Sequence, residues 1–370
     1  MKKSRVTIFF TLAFLSVFLA ACSGTPSESW PGVTVEGDSV YLSYSTQIYQ
    51  IGLTNGLEKW RFPAEPDNKI SYYAPVAFFQ DGQILVGSYN HNFYGIPSGS
   101  APANWSFEEA EDRYIGKALV LDDQVFAGSA DGTLYVLGLD GSLRWKFITG
   151  HAIWGSPVSD GKAIYVASMD HYIYAIDPQS GKQIWKTEDL GGQLVAKPAL
   201  SASGVLYVGA FGSRTDKPER SSRLVAVDST TGQILWSKPT RGWVWATPLL
   251  KDDVLYFGDN EGFVYAMNAQ TGDILWQQQH DTSANRAIIG APVILGDRLY
   301  FGSKAGLLHI LNPADGSALL QAKPIGGQIN ADLVLADQEI LIAPTGVENK
   351  LLLAVNSDGI EQWSFFPEKK

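Results

Sequence analysis

A glycine followed four residues later by tryptophan recurs along this chain, at Gly56/Trp60, Gly141/Trp145, Gly181/Trp185, Gly232/Trp236, Gly272/Trp276 and Gly359/Trp363. Gly316 has Leu320 in the tryptophan's place, and Gly99 reaches Trp105 through a turn two residues longer. Successive glycines lie 43, 42, 40, 51, 40, 44 and 43 residues apart, a period that belongs to repeat architectures. Within each period, short β-branched and aromatic runs alternate with turn residues. One copy reads Ile164-Tyr-Val-Ala-Ser168, Tyr172-Ile-Tyr-Ala-Ile-Asp177, Ser180-Gly181 and then Trp185. A small residue or proline opens the first run, as in Ser156-Pro-Val158, Thr247-Pro-Leu-Leu250 and Ala291-Pro-Val-Ile294. These are strand and hairpin signals, and no stretch carries a helical period. A lone four-stranded sheet buries little, whereas stacked sheets cover both faces of one another. Four strands per copy in eight copies therefore predict an all-β fold, an eight-bladed β-propeller of four-stranded antiparallel blades.

The tryptophans fall on the outermost strand of each copy. Trp60, Trp105, Trp145, Trp185, Trp236, Trp276 and Trp363 are read as structural, each ring wedged against the neighbouring blade. Burial of one indole contributes at most about 4–6 kcal/mol. Leu320 marks the seventh blade as the weakest seam. The copies run in frame from Trp30 to Trp363. Ring closure is thus expected from face packing of blade one on blade eight, with no strand exchanged between the chain ends.

The phrases Ala175-Ile-Asp177…Ser180-Gly181…Trp185 and Ala226-Val-Asp228…Thr231-Gly232…Trp236 resemble the tryptophan-docking repeat of the quinoprotein, or PQQ-like, propellers. The resemblance runs from about Trp30 to Phe366. It specifies fold better than function, because that superfamily mixes dehydrogenases with scaffolds and sensors. Its dehydrogenases hold PQQ over calcium, commonly above a disulfide between adjacent cysteines. Cys22 is the one cysteine here, and no clear calcium-binding Glu–Asn–Asp set is found. No cofactor, no metal site and no enzymatic activity are expected. The five histidines, His91, His151, His171, His280 and His309, show no zinc-like spacing. His91 and His171 occupy equivalent places in blades two and four and read as loop residues inherited with the repeat.

The N-terminus reads as an address. A basic start, Met1-Lys-Lys-Ser-Arg5, precedes an apolar run from Val6 to Ala21 that suits a secretory signal better than a membrane span. The run ends Leu19-Ala20-Ala21-Cys22, which resembles the lipobox of bacterial lipoproteins. That resemblance implies cleavage before Cys22 and acylation of its thiol and amine. An ordinary signal peptide ending in an incidental cysteine is the competing reading. The expected organisation is a signal peptide over 1–21, a flexible tether over 22–29 and the propeller over 30–366. Two or three acyl chains anchor stably where one is marginal. Membrane attachment through that lipid follows, at the periplasmic face of the outer membrane where the source has one and otherwise at the outer face of the cytoplasmic membrane.

Formal charge is −10 for the whole chain, a poor match for phosphate backbones, so nucleic acid is not an expected partner. Candidate binding residues lie on the propeller face shared by inter-blade connections and the second-to-third-strand loops. They are Tyr73, Tyr114, Trp154, Asp170, His171, Trp243, Trp245, Asp259 and Asn260. Aromatic anchors among polar groups suit protein recognition; the alternative is that the aromatics cap the inner strands and the aspartates cap turns. The fifth copy carries a polar insertion in which Arg214, Lys217 and Arg220 form a candidate docking loop on an acidic body. Anchor, length and repeat together resemble the BamB-like group of outer-membrane assembly lipoproteins. The expected function is a monomeric, non-enzymatic scaffold binding an envelope protein. A ligand- or glycan-sensing propeller is the alternative, and a PQQ-dependent dehydrogenase-like enzyme a more remote one.

Overall fold

The computed structural model describes residues 29–79, 82–97, 99, 102–212 and 222–368. Among them, thirty-two strands form eight four-stranded antiparallel sheets in which sequence neighbours are sheet neighbours, and no helix occurs. Blade 1 shows the pattern with β1 (Gly32–Glu36), β2 (Ser39–Tyr44), β3 (Gln47–Gly52) and β4 (Glu58–Phe62). The other blades span 77–107, 119–148, 158–186, 199–239, 249–279, 293–324 and 334–365. The chain is an eight-bladed β-propeller, as the repeats predict.

The apolar interior is divided among the seams. Eight hydrophobic clusters are present, each built from two adjacent blades. The middle strands serve two seams at once because successive side chains point to opposite faces of a strand. In Val205–Phe211, Val208 enters the cluster shared with blade 4 and Tyr207 the one shared with blade 6. This is why these strands read as unbroken apolar runs.

Asx turns set the outermost strands. Asp177 Oδ1 accepts the N–H groups of Gln179 at 3.1 Å and Ser180 at 2.7 Å, while the Gly181 N–H donates to the Asp177 carbonyl at 2.9 Å. Asp228 repeats the arrangement with Thr230 and Thr231 at 2.9 and 2.8 Å. These donors hold both carboxyls below the usual carboxylate range. The following glycine takes a positive φ, 67° at Gly181 and 75° at Gly232, which glycine reaches without a Cβ clash.

Six of the eight repeat glycines also make room for an indole, whereas an added Cβ on Gly99 meets nothing within 4 Å and one on Gly359 meets Lys323, Ile310 and Leu308. A Cβ on Gly181 would stand 2.7 Å from Trp145 Cε3, and one on Gly232 2.7 Å from Trp185 Cε3. Trp105, Trp236 and Trp276 sit in the same way on Gly141, Gly272 and Gly316. Several rings are also tied by hydrogen bonds: the Nε1–H of Trp105 donates to Leu139 O at 2.8 Å, and that of Trp236 to Ala269 O at 3.0 Å. Trp60 packs into the cluster of blades 1 and 2, and Leu320 into that of blades 7 and 8.

Closure needs no shared strand. The first and last blades are separate sheets joined by one cluster that includes Val40, Leu42, Ile51, Leu341 and Leu352. Trp363 seals it from the rim: its ring would lie 2.6 Å from a Cβ placed on Gly56.

Candidate functional site

The eight blades surround a channel of about 940 Å³. The chain enters each blade through an extended connection centred on a small residue: Gly32, Ala74, Gly116, Gly155, Ala196, Ala246, Gly290 and Ala331. Here neighbouring backbones touch. A Cβ on Gly155 would stand 2.5 Å from the Ala196 carbonyl oxygen, and one on Gly290 2.2 Å from that of Ala331. The period of two in an extended segment then sorts the side chains around this point. Two residues earlier the side chain is buried in seven blades, as with Tyr72, Tyr114, Ile153, Leu194, Val244, Ile288 and Ile329. One residue earlier it lines the mouth of the channel, as Tyr73, Trp154, Trp245 and Asn330 do. One residue later it lines the waist, where Lys117, Ser156, Lys197, Thr247 and Asp332 stand.

Burial corrects two sequence-based assignments. Tyr114 is 1% exposed and packs on Phe93 and Tyr135 at centroid distances of 5.4 and 6.4 Å, so it belongs to the core of blades 2 and 3. Asp259 is 0% exposed and works inside the fold. Its Oδ2 accepts from Gly242 N at 2.8 Å and Tyr265 Oη at 2.7 Å, and its Oδ1 from Glu261 N and Phe263 N at 2.9 and 3.0 Å. Burial nevertheless pushes its carboxyl up.

Asp170 makes the equivalent clasp, accepting from Gly150 N at 2.6 Å and Tyr174 Oη at 2.7 Å. Asp131 does so with Glu111 N at 2.9 Å and Tyr135 Oη at 3.0 Å. In each case a carboxylate ties a second-to-third-strand hairpin to the connection entering its own blade. His171 has a φ of 81° and His91 of 70°, at the turn position where other blades have Gly132, Gly262 and Gly306. His171 Nδ1 lies 3.3 Å from Asp189 Oδ1.

The remaining candidates converge at the mouth. Trp243 and Trp245 stack almost parallel, 6.3 Å apart and 2° between planes, with Phe211 at 5.2 Å from the former and 5.8 Å from the latter. Trp30 adds a fourth ring, 6.3 Å from Trp245. Asn260 fixes the cluster by accepting the Trp243 N–H at 2.5 Å and returning its own N–H to Trp243 O at 3.0 Å. Tyr73 stacks obliquely on Tyr89 at 5.0 Å, and the Arg113 guanidinium lies 5.3 Å over Tyr89. All of these rings are half-buried.

Sequence reading missed the waist. Lys117 N donates to Ser156 Oγ at 2.9 Å, Thr247 Oγ1 to Lys197 O at 3.0 Å, and Ala291 N to Asp332 Oδ1 at 2.7 Å. Each bond joins different blades. Burial, then the like charge of Lys197, holds the Lys117 ammonium below the ordinary lysine range. The enclosing channel wall pushes the Asp332 carboxyl up, against the Ala291 amide and Lys197, although the side chain is open to the channel. Aligning the eight connections on their small residues would have revealed this ring.

Cys22 and the loop residues Arg214, Lys217 and Arg220 lie outside the described residues. Among the described residues, no group of three or more His, Cys, Asp or Glu is placed to hold a metal ion. His280 and His309 do meet, with ring centroids 6.1 Å apart in the seam of blades 6 and 7. Burial holds both imidazoles below the ordinary range, His309 at about 4.

Comparison with known proteins gives one family and a divided set of relatives. The family described as outer membrane protein assembly factor BamB matches residues 169–358, half of the chain. A tetrathionate hydrolase of Acidithiobacillus ferrooxidans is 31% identical over 217 residues, covering 50% of this chain and 43% of that protein. An outer membrane protein assembly factor BamB of Burkholderia pseudomallei is 30% identical over 136 residues, 36% of this chain and 30% of that protein. The match thus spans well under half the length of either relative. Among solved structures, BamB from Moraxella catarrhalis aligns with a TM-score of 0.66 over 88% of this chain and 91% of that one, at 20% identity. That likeness concerns the fold.

Proposed function

We propose, from the premise that this chain belongs to the outer membrane protein assembly factor BamB family, that it is a lipid-anchored, non-enzymatic docking scaffold of the bacterial envelope. In this reading residues 1–21 are removed, Cys22 carries the lipid, and residues 22–29 tether the propeller at the periplasmic face of the outer membrane. The partner is a protein of the outer-membrane assembly machinery. The observation that carries the reading is the half-buried cluster of Phe211, Trp243, Trp245 and Trp30 at the channel mouth. Aromatic anchors on a rigid support are where binding energy concentrates in protein interfaces. The polar insertion with Arg214, Lys217 and Arg220 follows Phe211 directly in the chain and would supply rim charge.

The test is affinity capture of the full-length protein from solubilised membranes. Assembly subunits should co-purify, and Trp243→Ala with Trp245→Ala should reduce their recovery at least tenfold without lowering the melting temperature. A lipidated, folded protein that captures none of them would overturn the reading. The similarity to a tetrathionate hydrolase favours a second reading, an enzyme using the channel. Consumption of tetrathionate by the purified chain would decide for it.

A further inference from the structure

The channel waist carries charge that packing does not explain. Three consecutive blades, 3, 4 and 5, place Lys117, Ser156 and Lys197 side by side on its wall. Neither ammonium has a hydrogen-bond or ion-pair partner among the described residues. Ser156 Oγ accepts the Lys117 amide at 2.9 Å, which leaves its O–H free to donate. Asp332 stands on the wall of blade 8, but its Oδ1 is occupied by the Ala291 amide at 2.7 Å, and it forms no ion pair with either lysine. Glu36 on blade 1 and Asp332 are the carboxylates of this channel, and they act on Lys117 and Lys197 through their fields alone. On blades 3 to 5 two cations and one hydroxyl donor thus face a concave space of about 940 Å³ with no carboxylate hydrogen-bonded to them among the described residues.

The geometry points to a binding site for a divalent oxyanion of the phosphate or sulfate class, held between Lys117 and Lys197 with Ser156 donating to a third position. Such an anion satisfies all three groups through charge-assisted hydrogen bonds. It is reached through the aromatic mouth formed by Trp154, Trp245 and Tyr73. The site is independent of the docking surface proposed above, since none of its three groups belongs to the outer aromatic cluster.

Inorganic phosphate is the probe, titrated calorimetrically into the full-length protein at pH 7.5 and constant ionic strength, with acetate as the monovalent comparison. One-site binding of phosphate at least tenfold tighter than of acetate is expected. Lys117→Met and Lys197→Met should each weaken it tenfold or more. A second measurement does not depend on the variants folding: acylation of lysines in the unaltered protein, read by mass spectrometry. Phosphate should slow labelling of Lys117 and Lys197 severalfold while leaving the exposed Lys162 unchanged. Equal affinity for the two anions, undiminished binding in the variants, or uniform labelling of the three lysines would overturn the inference.

Discussion

Replacing Gly56 by alanine probes the closure seam without removing a tryptophan. Gly56 has a φ of 66°, and an added methyl would stand 2.6 Å from Cε3 of Trp363, itself 9% exposed. Two penalties combine: about 1–2 kcal/mol for a Cβ in the left-handed region, and about 1–3 kcal/mol for overpacking a filled contact. Gly37 separates them. It lies in the first turn of the same blade with a φ of 58°, and no described atom falls within 4 Å of its added methyl. Gly37→Ala should therefore lose only about 1–2 kcal/mol, against about 2–5 kcal/mol for Gly56→Ala. Trp363→Ala, costing about 3–5 kcal/mol alone, removes the ring. In that background Gly56→Ala should fall back to the Gly37 value, a coupling of about 1–3 kcal/mol. Urea unfolding of the unaltered protein and the four variants at unchanged m-value measures this. Equal losses at the two glycines, or strict additivity with Trp363→Ala, would refute seating of the indole on the glycine.

Acid should weaken the seam of blades 6 and 7. His309 has its imidazole held at about 4 by burial, so between about pH 6.5 and 4 the unfolded chain binds a proton that the folded one refuses. Stability should fall with pH across that window by up to about 3 kcal/mol, with His280 acting in the same direction. His309→Tyr, which installs the residue found at the equivalent places Tyr94, Tyr135, Tyr174 and Tyr265, should flatten the dependence; an unchanged pH profile would contradict this. His91→Gly relieves a left-handed backbone at an exposed turn and should raise stability by about 1 kcal/mol, detectable as a higher melting temperature. Asp259→Ala leaves four donors without their acceptor and should destabilise by about 3 kcal/mol or more, visible in the urea midpoint.

The repeat made the fold legible because each part of it answers a local requirement. Gly181 and Gly232 are spaced by the Asx turns of Asp177 and Asp228, and the residue four later must face the next blade. In-frame ends agree with closure by two separate sheets, β1–β4 at one end of the chain and the last four strands at the other. The site was harder to read because it depends on alternation inside the connections. Tyr72 and Tyr73 are adjacent in sequence, yet one faces the core and the other the channel. Aromatic type alone places Tyr114 on the binding face, whereas its parity relative to Gly116 places it in the core. Lys117 and Lys197 lie two copies apart, and only alignment of the connections on Gly116 and Ala196 sets them in the same ring of the channel wall.

The meeting of blades 1 and 8 as separate sheets has a mechanical consequence. Parting them breaks no inter-strand ladder, only side-chain packing, and neither of those blades relies on a continuous segment to hold its neighbour across the gap. Under load or heat the torus should gape there first, at the one junction bridged by no peptide connection. A circular permutant that covalently joins these two sectors and cuts the chain elsewhere would move the point of failure to the new break.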